Sequence, residues 1–472
     1  MGKLATTFAG LALAATASVS ASAQSPLRPD QSAFRELYAE LVNTNTAYST
    51  GSCTRAAEQL AARMHAAGFS KEDARVVVVP GYEREGNLVA VLPGTSKKLK
   101  PMLLLAHIDV VEARREDWTR DPFTLIEEDG FFYARGVSDD KVQAAIWVDS
   151  LIRFKKEGYR PKRTIKVAAT CGEESSSTAL NGAEWLARNM PDTLSAEFAL
   201  NEGGGGRLDK DGKPQFLGIQ VGEKANRIFD LEATNPGGHS SVPRPDNAVY
   251  DLAEAIVAVK RLGFPVQLND TTRAFLKQMS PTAPAAGQIA IANLLADEGN
   301  ATAAAILSTD PVMNSTLRTT CVATMLEAGH APNALPQRAK GVVNCRIVPG
   351  MSTEETQAAI EKAIANPRVT VKLRKPHRPM AVAPPLDKRI LDPAVKLAGE
   401  LFPGVPMVPT MSTGATDATM TALIGIPTYG IPGIFYEADG GGIHGLNERL
   451  RVKSVYEGRD YLHRLIQVYA ER

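Results

Sequence analysis

Charge of one sign is missing from this chain. Its 53 Lys and Arg residues offset 52 Asp and Glu, leaving a formal net charge of +1. With no basic stripe, a nucleic-acid partner is not expected. The four cysteines contain no C-x-x-C pair, so neither a zinc ribbon nor a dithiol redox motif is indicated. G-x-S-x-G is absent, which argues against a serine hydrolase built on a nucleophile elbow. Beyond the N-terminal region no apolar run reaches the length of a membrane span. No internal repeat is visible. Gly440, Gly442 and Gly445 fit G-x-G-x-x-G only in form. That stretch holds His444 and does not join a strand to a helix within a β-α-β unit, so a dinucleotide site is rejected.

What is present starts at the N-terminus. Lys3 precedes the apolar run Leu4 to Val19, and Ala21-Ser22-Ala23 supplies an A-x-A cleavage pattern before Gln24. Residues 1–23 therefore read as a secretory signal peptide, and the mature protein as periplasmic or secreted. An exported protein can keep disulfides. Cys321 and Cys345 lie in two strand-like segments around one connection and are the expected pair. Cys171, inside a strand, is expected as a buried free thiol. The length of 472 residues allows two or three domains.

Hydrophobic periodicity divides the chain. Asp30 to Ala67 reads as one or two helices stopped by Gly68. Apolar strands follow at Val76–Val79, Leu88–Leu92 and Leu103–Ala106. A helix at Val142–Lys156, a strand at Thr164–Thr170, a helix at Asn181–Asn189 and a strand at Ala196–Leu200 come next. Strands alternating with helices predict a mostly parallel α/β sheet. Beyond Arg227 the pattern changes. Setting aside a Pro-, Ala- and Thr-rich stretch at 264–314, the order is β-α-β-β-α-β, a ferredoxin-like unit. Its first helix, Asp246–Leu262, has Asp246 as a candidate cap, and Ser352 to Glu355 is a capping box for its second. The α/β pattern resumes after the Pro-rich link Pro379–Pro385.

The chemistry-bearing residues fall at strand ends, where open α/β sheets bind ligands. His107 and Asp109 end the first of these strands and point the same way. A neutral imidazole ligates metals, and a nearby carboxylate can fix its tautomer. Asp139 follows in a Gly-led turn before a helix. Glu173-Glu174 and Glu202 end two further strands, and His444 lies near the C-terminus. Two His and several carboxylates suffice for two divalent metals if one carboxylate bridges. Adjacent Glu173 and Glu174 suggest a division of labour, one ligating and one acting as general base.

Five separated motifs, AHIDVV, ARGVSDDK, TCGEES, NEGG and GGIHGLNE, occur in that order. On them the chain resembles the zinc aminoacylase and carboxypeptidase family of di-metal peptidases. That family includes glutamate carboxypeptidase, acetylornithine deacetylase, succinyl-diaminopimelate desuccinylase and aminoacylase. The resemblance covers nearly the whole mature chain. It implies an α/β, mostly parallel-sheet di-zinc exopeptidase domain in two parts, 24–226 and 381–472. An α+β ferredoxin-like dimerisation (lid) domain would be inserted at 227–380.

The resemblance also implies roles. His107 and Glu202 would bind one zinc, Glu174 and His444 the other, and Asp139 would bridge both, with a cis peptide to Asp140. Asp109 would orient His107. Glu173 would deprotonate the bridging water and later protonate the leaving amine. His239, in NPGGHSSVP, would reach across a homodimer and stabilise the oxyanion. Asn333 in PNALP and Arg346 in NCRIVPG would hold the substrate's carboxylate, and an Arg suits a bidentate carboxylate contact. Gly414, Ala415 and Thr416 in STGATDA would complete that pocket through backbone amides. His65, His330, His377 and His463 are left as structural or surface groups.

The activity expected is cleavage of a peptide bond next to a free carboxylate, carboxypeptidase- or dipeptidase-like. The alternative is an N-acyl-amino-acid deacylase. A binding protein on an inactive scaffold is disfavoured, because no ligand of the set is missing. Zinc is the expected metal, although His and carboxylate donors also fit cobalt or manganese.

Overall fold

The computed structural model describes residues 26–175, 180–431 and 433–472. The expected signal peptide, 1–23, lies outside the described residues. Among those residues no helix is long and apolar enough to cross a membrane.

A ten-stranded mixed sheet forms the body of the molecule. Its centre is parallel: Met102–His107 lies between Ile165–Thr170 and Phe198–Asn201, and Thr428–Gly430 extends the parallel run. Every residue of Met102–His107 is buried. That follows from its sequence, since a strand covered on both faces reads as a continuous apolar run rather than an alternating one. The helix Lys141–Lys156 packs behind it and is buried almost all round, from Val142 to Ile152. Antiparallel strands at Ala74–Val77 and Asn87–Leu92 finish one edge. The C-terminal helix Val452–Ala470 closes the core with Leu462, Leu465 and Ile466.

A second sheet has four antiparallel strands in the order Thr320–Ala328, Arg338–Ile347, Ala225–Thr234, Val369–Leu373. Ala225–Thr234 alternates buried and half-buried residues, the period-2 pattern of a strand with one covered face. The helices Ala248–Arg261 and Thr353–Ile364 supply the cover, with Leu252 and Ile360 in the shared core. Ser352 and Glu355 form the capping box. The first helix is capped by Asn247, whose side chain accepts from the Val249 amide, and not by Asp246. Asp246 instead accepts from Arg244 and Asn235.

The stretch 264–314, which carries no readable motif, is helical: Asp270–Met279, Ala285–Ala296, Ala301–Leu307 and Pro311–Leu317. These helices bury Leu276, Ile291, Leu294 and Leu317 in a small core of their own. They are tied to the large sheet, where the Thr271 hydroxyl donates to the Val221 carbonyl at 2.7 Å.

Cys321 and Cys345 are bonded across directly paired strands. The expectation for Cys171 is corrected: it is bonded to Cys53. Cys171 follows the last residue of Ile165–Thr170, and Cys53 opens the helix Cys53–Ala66. The fold thus brings together residues 118 positions apart, a pairing that spacing alone does not specify.

Candidate metal centre and active site

Ligand geometry begins with His107, the last residue of the central strand. Its Nδ1 donates to the backbone carbonyl of Asp109 at 3.0 Å. That bond selects the tautomer whose Nε2 lone pair is free for a metal. The Asp109 carboxylate, expected to orient the ring, stands 3.6 Å from Nδ1. It is held instead by the amides of Glu173 and Glu174 at 3.2 and 3.0 Å. Two backbone donors in a tight turn outcompete one ring N–H that already has a carbonyl partner. Asp109 therefore fixes the turn carrying both glutamates, and orients His107 through its main chain.

On the Nε2 side, His107 faces Asp139 Oδ1 at 3.0 Å and Glu202 Oε2 at 3.6 Å. The other oxygen of Asp139, Oδ2, faces His444 Nε2 at 3.1 Å, and Glu174 Oε1 meets the same nitrogen at 2.8 Å. Two donor groups result, His107–Asp139–Glu202 and Asp139–Glu174–His444, each with its atoms within 4.8 Å of one another. They share one residue. Asp139 presents an oxygen to each, which is the arrangement a bridging carboxylate requires. The peptide from Asp139 to Asp140 is cis. His444 sits at φ 59° among glycines, a left-handed conformation that costs a non-glycine residue roughly 1–2 kcal/mol and clusters at functional sites.

The electrostatics suit cations. Burial works against a charge on His107, yet Glu202, Asp109 and Asp139 outweigh it and push its pKa well up. Hydrogen bonds that its ring donates to the Asp139 and Glu174 carboxylates raise His444 to about 10. Burial would raise Asp139, but the two histidines hold it far below the ordinary range. Burial lifts Glu202 to about 7. This cluster lowers the energy of any positive charge placed between its members, and its N and O donors fit divalent metals.

Around the cluster stand residues to which sequence reasoning gave no role. Glu448 is fully buried and accepts from Arg135 Nη1 at 2.7 Å and from the amides of Gly136, Ser138 and Asp139 at 3.1, 2.9 and 3.3 Å. It holds the turn that aims Asp139. Its signal was its place in GGIHGLNE. Asp417 is buried and accepts from the Thr170 hydroxyl and the Asn181 amide. Arg378, immediately before the Pro-rich link, forms an ion pair with the Glu173 carboxylate. Nothing in the local sequence distinguished it.

The substrate-side candidates are more dispersed. Arg346 is the penultimate residue of the strand Arg338–Ile347, half-buried, within electrostatic range of Arg378 and Glu173. Among the described residues its guanidinium makes no hydrogen bond or ion pair. His239 is exposed on the short strand Gly238–His239, which pairs Ala334–Leu335, and its Nδ1 meets the Ser241 hydroxyl at 2.7 Å. The Asn333 carbonyl accepts from the Ser240 amide beside it. Neither His239 nor Asn333 hydrogen-bonds a residue of the metal cluster within the chain. In the loop at Gly414, Ala415 and Thr416, two of the three amides have internal acceptors. Gly414 donates to the Ser412 hydroxyl, and Thr416 donates through both its amide and its hydroxyl to the buried Glu223. Glu223 is a carboxylate already inside and in need of donors, and Thr416 supplies two of them.

A profile of peptidase family M20/M25/M40 matches residues 103–468. The chain belongs to this family. Among M20 relatives, N-fatty-acyl-amino acid synthase/hydrolase PM20D1 of Homo sapiens is 29% identical over 385 residues, 80% of this chain and 75% of that protein. Probable carboxypeptidase S-like 2 of Dictyostelium discoideum is 28% identical over 395 residues, 81% and 74% of the two chains. The M20 family metallo-carboxypeptidase Sso-CP2 from Sulfolobus solfataricus superposes with TM-score 0.69 at 19% identity, covering 94% of this chain and 100% of that one. This M20 chain is a hydrolytic enzyme of the metallopeptidase and amidohydrolase kind.

Proposed function

We propose that the chain is an exported di-zinc hydrolase that cleaves an amide bond next to a free carboxylate, in carboxypeptidase or dipeptidase fashion. The observation that carries this reading is Asp139, shared between the two histidine-centred donor groups, with Glu173 beside them. His107 and Glu202 would hold one cation, Glu174 and His444 the other. When bound, such cations act as Lewis acids on the scissile carbonyl and make water a competent nucleophile near neutral pH. Glu173 takes a proton from the attacking water and delivers it to the leaving nitrogen. Arg346, half-buried and without a partner among the described residues, pairs the substrate's carboxylate.

Export is supported by the N-terminal pattern and by two disulfides, which persist in oxidising compartments. A homodimer through the inserted unit at 227–380 is supported by the sheet edge Thr320–Ala328. There Val322, Met325 and Leu326 are each at least 60% exposed, an edge that soluble proteins ordinarily cover. In that dimer the exposed His239 serves the oxyanion of the partner subunit.

The similarity to an N-fatty-acyl-amino acid hydrolase favours a second reading, hydrolysis of N-acyl amino acids. The deciding experiment compares dipeptides with free C-termini, the same dipeptides as C-terminal amides, and N-acyl amino acids, all with zinc-loaded protein. Cleavage of free dipeptides but not their amides supports the first reading. Cleavage of acyl compounds alone supports the second. No cleavage in any set sinks both.

A further inference from the structure

Arg378 lies between two parts of the fold. The chain leaves the small sheet at Leu373, passes through Pro376, Pro379, Pro384 and Pro385, and enters the helix Lys388–Leu401. Midway, the Arg378 guanidinium turns inward. One nitrogen meets the Glu173 carboxylate, and another donates to the backbone carbonyl of the same residue. Asp417 and Glu223 are the other carboxylates in whose field it sits. Arg346, a like charge within its field, holds no partner among the described residues.

A glutamate in a turn has several free torsions. Nothing else on Glu173 grips its side chain among the described residues, since Asp109 holds only its amide. A general base must nonetheless point at one proton. A fork that binds the carboxylate and the main chain together fixes both ends of that side chain, and a planar guanidinium is suited to it.

We propose that Arg378 is a positioning residue for the general base, locking the orientation of the Glu173 carboxylate from the link between the two sheets. The inference rests on the hydrolase reading of this site. A misplacement of about 1 Å at a reacting group costs on the order of 10²-fold in rate. Arg378→Ala is therefore expected to lower kcat by about that factor, with KM within a few-fold and metal content unchanged. Arg378→Lys keeps the charge but loses the fork, and is expected to fall between. Added guanidinium ion should restore part of the Ala variant's rate but none to Glu173→Ala. In the Glu173→Ala background, Arg378→Ala should lower the residual rate no further.

An increase in KM with kcat unchanged would overturn the proposal, making Arg378 a contact to the substrate's carboxylate. Loss of metal would overturn it too, as would wild-type kinetics. If the Ala variant fails to fold, the Lys variant and its kcat decide the matter alone. Wild-type protein inert on every amide would sink the hydrolase reading and this inference with it. An active wild type with unaffected Arg378 variants sinks the inference only.

Discussion

Asp139 gives one oxygen to His107 and the other to His444. Asp139→Ala is therefore expected to lose both metals together. Plasma mass spectrometry should read close to zero per chain, whereas His107→Ala or His444→Ala should retain about one by the same ligand arithmetic. A different side chain contributes to acid stability. His463 is 5% exposed and stacks on Phe154 with ring centroids 4.4 Å apart. Burial, with Arg153 and Arg459 nearby, pushes its pKa down to about 3. The unfolded chain, titrating near 6.5, takes up that proton first. Stability is thus complete above about pH 6.5 and falls toward pH 3, by up to roughly 1.4 kcal/mol per pH unit. His463→Phe should flatten the melting temperature across pH 4 to 6.5 without loss at pH 7.5. At this scale the ligands were legible because each ends an apolar strand or lies within three residues of a glycine. Arg378 was not, since an arginine among prolines carries no periodicity and its partner is 205 residues away.

Two devices hold the catalytic turns as elements. Glu448 gathers Arg135 and the amides of Gly136, Ser138 and Asp139 in full burial. Glu448→Ala leaves Arg135 charged and unpaired, which typically costs about 3–5 kcal/mol. Denaturant unfolding should show that loss, and metal affinity should fall with it. The Cys53–Cys171 bond clamps the turn leading to Glu173 and Glu174 onto a helix N-terminus. Replacing both cysteines by serine is expected to remove about 2–4 kcal/mol and to weaken the Glu174–His444 metal position more than the other, as isothermal titration would read. The long helices and buried strands were readable from their periods. The Ala285–Ala296 helix was not, because it is apolar nearly all round and offers no stripe. The choice of Asn247 over Asp246 as a cap was equally hidden, since both side chains can cap and the surrounding ion pairs decide.

At the scale of the molecule, an exposed apolar edge and an exposed histidine lie on the same stretch, 227–380. If copies pair along Thr320–Ala328, lysine at Val322 and Leu326 should produce monomers in sedimentation velocity. Those monomers should keep their metals and lose most of their kcat, because His239 would then serve no active site. The architecture was legible in the alternation of strand and helix, and in the switch near Arg227 to an antiparallel pattern. The helices of 270–317 were beyond reach, since their docking on the large sheet depends on contacts such as Thr271 with Val221.

The spread of the donors along the chain orders events during synthesis. His107, Asp139 and Glu202 all emerge before the small sheet begins at Ala225. His444 appears more than two hundred residues later. A growing chain can thus assemble a complete first pocket while the second still lacks its imidazole and Asp139 still lacks the support of Glu448. The second donor group is completed only when translation is nearly finished. Fragments ending before residue 444 therefore cannot complete the second group, however well they fold.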